Sequence, residues 1–326
     1  MLVRFGYVAM SVIVENASPS RTMTATHFRK LDDREAAVRK LERLAEENIR
    51  NCLRLLRHNA AHDIRVFRFS SKLIPLLGHE MLSGWDPFPV LAEPFAELGV
   101  FVKKHGMRVG FHPDHFTVIG TPRGEVLRSS LQTLDHHVRM LEAMGLDERA
   151  RLNIHIGGTY GDRERTLERF LRQFRAMDER IRSRITLEND DKTYTALETL
   201  AVCEALGVPM VLDLHHHIVN NNGESAAELW PRIAATWRKS DLVPVELPPK
   251  IHVSSPKNEK DVRAHADYVE LEHILPFLRE VAAVTPALDV MIEAKRKDEA
   301  LFRLMDDLRK VDDVEVVDQA SIRIKS

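Results

Sequence analysis

The chain has 326 residues, of which 44% are hydrophobic and 29% charged, with a formal net charge of −2. That composition supports a large core, and no apolar run approaches the roughly 20 residues a membrane-spanning helix needs. A protein this close to neutral exerts no strong diffuse pull on nucleic acid, so any DNA-binding face has to be a local basic patch.

The N-terminal Met1-Leu-Val-Arg-Phe-Gly-Tyr7 reads as a strand rather than a secretion signal, because no small-residue cleavage site follows a hydrophobic stretch. From there strands and amphipathic helices alternate. Strands are expected at 2–8, 64–70, 108–113, 151–157, 184–189, 209–215, 249–254 and 289–294. Helical spacing of apolar residues runs through 33–57, 125–144, 163–182 and 268–283. Thr195-Ala-Leu-Glu198 and Ser225-Ala-Ala-Glu228 have capping-box form and place helix starts after the fifth and sixth strands. Pro231 should kink or restart the second of these helices. Cys52 and Cys203 fall in helical patterns and read as two buried thiols, which fits a reducing cytoplasm. Eight strand–helix units are what a closed TIM (β/α)8 barrel requires. An α/β TIM barrel is therefore expected, as one domain over residues 1–326. Long loops at 10–31, 71–89, 114–124 and 255–267 follow strands and would line the C-terminal rim. The strand-like segment from about Val314 has no place in such a barrel.

Six of the apolar segments end on a residue that can bind a metal: His112, His155, Glu188, Asp213, His252 and Glu293. Strand ends converge on one spot only in a closed barrel, whereas an open sheet gathers ligands at a single switch point. His216, three residues beyond Asp213, and His265, on the loop after the seventh strand, extend the set. His217 reads as an ordinary loop histidine. Alternation along a strand puts Lys250 on the same face as His252. A lysine pointing into a barrel is costly as a bare cation, and becomes reasonable as a neutral amine or as an N6-carboxylated side chain. This many ligands exceed one tetrahedral zinc. Imidazole with carboxylate and no thiolate suits manganese, zinc or iron. A shared carboxylate such as Glu188 would bridge ions roughly 3.5–4 Å apart, an arrangement used for phosphodiester hydrolysis by metal-activated hydroxide.

Long segments of the chain resemble the UV damage endonucleases in their bacterial, Bacillus-like form. They include Arg4-Phe-Gly-Tyr7, Ala17-Ser-Pro19, Phe67-Arg-Phe-Ser-Ser71, Phe111-His-Pro113 and Asn153-Ile-His-Ile-Gly-Gly158. Thr186-Leu-Glu-Asn-Asp-Asp-Lys-Thr-Tyr194, Lys250-Ile-His-Val-Ser-Ser-Pro-Lys257, His265-Ala-Asp-Tyr268 and Met291-Ile-Glu-Ala-Lys295 continue the match. The resemblance implies a TIM barrel related to endonuclease IV. It implies three divalent ions, usually manganese with zinc, cobalt or magnesium as alternatives. Their ligands would be His112, His155, Glu188, Asp213, His216, His252, His265 and Glu293, with Lys250 carboxylated and Lys250, Glu188 and Glu293 catalytic. The implied reaction is incision immediately 5′ of cyclobutane dimers, (6-4) photoproducts and abasic sites, leaving a 3′-hydroxyl and a 5′-phosphate. The implied setting is a cytoplasmic, nucleoid-associated monomer acting on UV-damaged duplex DNA.

One position departs from the family. A glutamine followed by an aromatic residue usually probes the duplex here, but this chain reads His112-Pro-Asp-His115-Phe116. His115 can still stack and hydrogen-bond beside flipped bases, with Phe116 next to it, although lesion preference or pH dependence should differ. Tyr7 is a further expected groove contact, and Lys72, Arg123, Lys257 and Lys260 are expected to hold phosphates. A sugar isomerase or epimerase on the same barrel shares such ligands but needs fewer ions. An amidohydrolase would carry His-x-His on its first strand, where this chain has Gly6-Tyr7-Val8. A damage-binding module without catalysis leaves the ligands without a purpose.

Overall fold

In the computed structural model, which describes residues 1–240 and 242–325, twelve strands follow in chain order. These are β1 (Leu2–Val8), β2 (Val66–Phe69), β3 (Arg108–Phe111), β4 (Arg151–His155), β5 (Ile185–Glu188) and β6 (Met210–Asp213). After them come β7 (Lys250–Val253), β8 (Pro256–Asn258), β9 (Asp261–His265), β10 (Ala287–Ile292), β11 (Val314–Asp318) and β12 (Ser321–Ile324). β1 to β7 and β10 pair in parallel in sequence order, and β10 returns to β1, closing an eight-stranded TIM barrel. Both predicted capping boxes form, at Thr195 and Ser225. The helix Arg34–Ala61 starts where Asp33 accepts from Ala36 N, and it buries Leu41, Ala45, Ile49, Cys52 and Leu56 at three- and four-residue spacing. Cys52 and Cys203 are buried free thiols.

Alternation sorts each strand into two faces. Val3, Phe5, Tyr7, Phe67 and Phe69 join the large apolar cluster shared with the helices. Val8, Val66 and Met291 form a separate small cluster, and polar side chains share the barrel interior with Val211 and Trp237. Arg108, Arg151, Asn153, Thr186, Lys250 and His252 are among the residues around an axial cavity of about 20 Å³, room for roughly one water. At its lower end the buried Asp289 carboxylate takes Arg4 Nε at 2.7 Å and Arg108 Nη1 at 2.6 Å. Gly6 allows β1 and β2 to meet, because a Cβ there would lie 1.9 Å from the Val66 carbonyl oxygen.

Two sequence expectations change. Pro231 does not restart its helix, which runs as one element over Ala226–Ala235. The proline deletes one hydrogen bond, but buried Leu229, Trp230 and Ile233 hold the helix on the barrel. The C-terminal segment also has a place. β12 runs antiparallel to Leu2–Arg4, the half of the β1 edge that β2 leaves open, since β2 pairs only with Gly6–Val8. Met1 and Ile324 exchange two backbone hydrogen bonds, at 3.0 and 2.9 Å. Among the described residues, no helix is long and apolar enough to cross a membrane.

Candidate metal centre

Three groups of ligand atoms meet at the C-terminal end of the barrel, and Glu188 belongs to all three. His112 and His155 form the first with it, Asp213 and His216 the second, His252 and Glu293 the third; within each group the atoms lie inside 4.8 Å. The strands deliver them, because Glu188 ends β5, His155 ends β4 and Asp213 ends β6. His112 and Glu293 directly follow β3 and β10. His112 Nε2 stands 3.2 Å from Glu188 Oε2, and His252 Nδ1 stands 3.1 Å from both Glu188 Oε1 and Glu293 Oε1. His216 Nδ1 lies 3.6 Å from Glu188 Oε1.

Local structure fixes these directions. Asp213 caps the short helix Leu214–Val219 by accepting from His216 N at 2.7 Å, which sets His216 one turn beyond the strand end. Asn189 clamps β5 to β6 through both its amide atoms, donating to Asp213 O and accepting from Asp213 N. Asn153 donates to Glu188, and Arg68 pairs with Glu293. His155 Nδ1 and His216 Nδ1 face the backbone oxygens of Glu188 and Asn189 at 3.2 and 3.0 Å. Such backbone contacts orient an imidazole so that its other nitrogen meets an ion.

The charges are strongly coupled. Burial alone would raise the Glu188 carboxyl, but His252, His155 and a hydrogen bond with His112 outweigh it and hold Glu188 well below the carboxylate range. Burial likewise opposes ionisation of Glu293, and Arg68 with His252 reverses it. Asp213 is pushed up to about 7 by burial together with the neighbouring Glu188 and Glu293. His216 and His252 rise to about 9 despite burial, because Asp213 and Glu188 face the first and Glu188 and Glu293 the second. Asp213 Oδ2 is buried without a partner. The donor set thus fits divalent cations: oxygen and imidazole ligands, one shared carboxylate, and an acid whose remaining oxygen accepts no hydrogen bond.

Other expected residues fall in varied places. His265 belongs to none of the three groups; its ring centroid lies 6.4 Å from that of His216, and its Nδ1 is buried without a partner. Lys250 faces the axial cavity, its ammonium disfavoured by burial and by Arg108, Arg68 and Arg151, with no compensating ion pair among the described residues. Arg108 and Arg151 each keep a buried N–H without an acceptor. His115 and Phe116 project from the rim with rings 4.0 Å apart, Phe116 74% exposed. Lys72, Arg123, Lys257 and Lys260 are exposed.

Two expectations are corrected. Tyr7 is no groove contact: it is fully buried on the outer barrel face, donates to Asn59 Oδ1 at 2.7 Å and packs edge-on against Phe67. The inward residues of β1 are Arg4, Gly6 and Val8, so strand alternation turns Tyr7 away from the rim. His217 is no loop histidine either, being buried in the helix Leu214–Val219 with Nε2 3.1 Å from Glu224 O. Sequence reasoning missed Arg68, Asn189 and Asp289. Arg68 between two phenylalanines carried the alternation signal for an inward charge, whereas nothing local marks Asn189. Beside the ligands opens a cleft of about 450 Å³, lined by His112, His115, His155, Gly158, Asp190 and His216 among others.

The sequence profile of the family described as UV-endonuclease UvdE matches residues 3–325. A UV DNA damage endonuclease of Halalkalibacterium halodurans is 46% identical over 323 residues, covering 99% of both chains. One of Bacillus pumilus is 42% identical over 95% of each. The solved structure of SacUVDE superposes with a TM-score of 0.81 at 27% identity, over 95% of this chain and 100% of that one. Endonuclease IV from Thermus thermophilus shares the fold, with a TM-score of 0.52 at 14% identity over 93% and 98% of the two chains.

Proposed function

The chain belongs to the UV-endonuclease UvdE family, and from that premise we propose that this enzyme incises duplex DNA immediately 5′ of cyclobutane dimers, (6-4) photoproducts and abasic sites. It leaves a 3′-hydroxyl and a 5′-phosphate. The observation that carries the reading is the sharing of Glu188 by three ligand groups beside an open cleft. Three divalent ions, manganese first, would be held by His112 and His155, by Asp213 and His216, and by His252 and Glu293, each group with Glu188. His265 would approach the Asp213–His216 group from the β8–β9 hairpin. When bound, such ions neutralise the phosphodiester and make water acidic enough to attack at neutral pH.

The chain's own residues do the rest. Glu188 spans the groups and Asn153 fixes its orientation; Glu293 is held ionised by Arg68. Lys250 is the N6-carboxylation site in this proposal: a carbamate would set a negative charge among Arg68, Arg108 and Arg151 and give the unpaired N–H groups of Arg108 and Arg151 an acceptor. His115 and Phe116 would fill the space left by bases drawn out of the stack. Lys72, Arg123, Lys257 and Lys260 would hold the backbone as a local patch on a nearly neutral protein. Residues 1–326 act as one domain, as a monomer at the nucleoid in the cytoplasm.

Irradiated and unirradiated supercoiled plasmid, incubated with manganese and then with chelator, test the reading. Nicking confined to irradiated plasmid and stopped by chelation is expected; equal inertness on both would overturn it. Glu188→Gln should lower the nicking rate ~10²–10³-fold, the order seen when a charge-stabilising group is lost, and should reduce bound manganese measured on the purified protein.

A further inference from the structure

The loop after β1 presents three aliphatic side chains to solvent: Met10, Val12 and Ile13 are 39%, 44% and 46% exposed. A floppy loop would fold them away, but this one is pinned. The fully buried Asp298 carboxylate accepts from Ser11 Oγ and from Val12 N, the latter at 2.9 Å. Ser11 Oγ in turn accepts from Ile13 N at 3.0 Å and Val14 N at 2.8 Å. Arg54 holds the far side, donating to Glu15 O and Asn16 O. Ala9 and Asn16 bracket the loop in the left-handed region, at φ 61° and 53°, which costs on the order of 1 kcal/mol or more each. Val14 packs back on the core. The chain therefore spends hydrogen bonds and backbone strain to hold Val12 and Ile13 outward.

Position indicates what they meet. β1 lies beside β10, and Asp298, the anchor of the loop, is five residues beyond Glu293 on the segment leaving β10. Lys295 on that same segment is exposed and has no ion pair among the described residues. The β2 loop, with Lys72, separates the Val12–Ile13 loop from His115 and Phe116. The rim thus carries two apolar prongs, with Lys72 on the loop between them and Lys295 on the segment that leads to the anchor Asp298, on the face that holds the ligand groups. Apolar side chains set rigidly beside cations suit a nucleic-acid duplex, whose phosphates the cations meet and whose base steps an aliphatic wedge can part.

We propose that Val12 and Ile13 form an aliphatic wedge that enters the base stack of the bound duplex across the β2 loop from His115 and Phe116. This rests on the reading of the chain as a damage endonuclease. The wedge unstacks a step beside the lesion and so stabilises the bent duplex. It touches no reacting atom, so it acts on binding and not on the chemical step.

The test uses the whole protein and a duplex containing one cyclobutane dimer, with 2-aminopurine placed beside it as a fluorescent reporter of unstacking. The double variant Val12→Ser/Ile13→Ser should bind about tenfold more weakly, as expected for loss of a small share of the few kcal/mol that unstacking involves. The rise in fluorescence on binding should fall with it, while the single-turnover nicking rate at saturating protein stays unchanged. Val12→Leu/Ile13→Leu, which keeps the apolar surface, should restore both signals. Equal affinity and fluorescence in wild type and serine variant would overturn the wedge alone. So would a serine variant that differs only in sedimentation, since the patch would then join two copies of the chain. Failure of wild type to bind or nick the damaged duplex would overturn the functional reading along with the wedge.

Discussion

At the scale of single residues, position along a strand decides role. Asp298 shows how a buried acid can serve a loop. Burial raises its carboxyl, but hydrogen bonds from His58, Ser11 and Val12 N outweigh that and lower it. A depressed carboxyl contributes stability that is fully present above the unfolded value of about 3.9 and is lost as pH falls through the folded one. Asp298→Asn should therefore be less stable than wild type at neutral pH by about 1–3 kcal/mol, with the gap narrowing below about pH 4; urea melts at both ends of that range measure it. His115 invites a different comparison, since an imidazole and a primary amide present different hydrogen-bond donors and acceptors to a base. His115→Gln should shift the relative incision rates on different lesions, and an unchanged order and ratio of rates would rule this out. The candidate ligands were legible because six of them end apolar runs. Tyr7 was misread because its role was carried over from the family resemblance, without asking which face Arg4 and Gly6 had already fixed.

At the scale of elements, close approach matters as much as pattern. The Gly6 Cα sits so near β2 that an added methyl meets backbone, which cannot rotate away as a side chain could. Gly6→Ala should cost about 1–3 kcal/mol or more through displaced strands, read as a lower midpoint in denaturant. Gly158→Ala, where a Cβ meets nothing within 4 Å, should leave that midpoint nearly unchanged. The eight barrel strands were readable within a few residues because each is an apolar run between helices. The β11–β12 hairpin was not placeable, because its partner is the half of the β1 edge that β2 leaves unpaired, and that opening exists only once the barrel has closed. Pro231 likewise keeps its helix because the packing beneath it exceeds the loss of one hydrogen bond.

At the scale of the whole molecule, the barrel gathers Glu188, Glu293 and Asp213 in one enclosed space with histidine rings around them. An ion that binds only the folded protein stabilises it by mass action, about 2.7 kcal/mol per site at roughly a hundredfold excess over Kd. Manganese should therefore raise the melting temperature by several degrees and chelator should return it, as scanning calorimetry would register; an unmoved midpoint would count against a built cation site. The interior below the centre is held by Arg4, Asp289 and Arg108 rather than by aliphatic layers, which no local pattern reveals because the partners lie on three strands far apart in sequence.

The pairing of Met1 with Ile324 also sets a schedule. β1 is made before the other strands described, yet two of its three neighbours, β10 and β12, are made after the rest of the barrel. Loop closure over nearly the whole chain has to precede those contacts, and such long-range pairing is slow. During synthesis β1 waits with its apolar outer face unsealed, and the ring of candidate ligands is complete only once Glu293 has been made and β10 has closed the barrel.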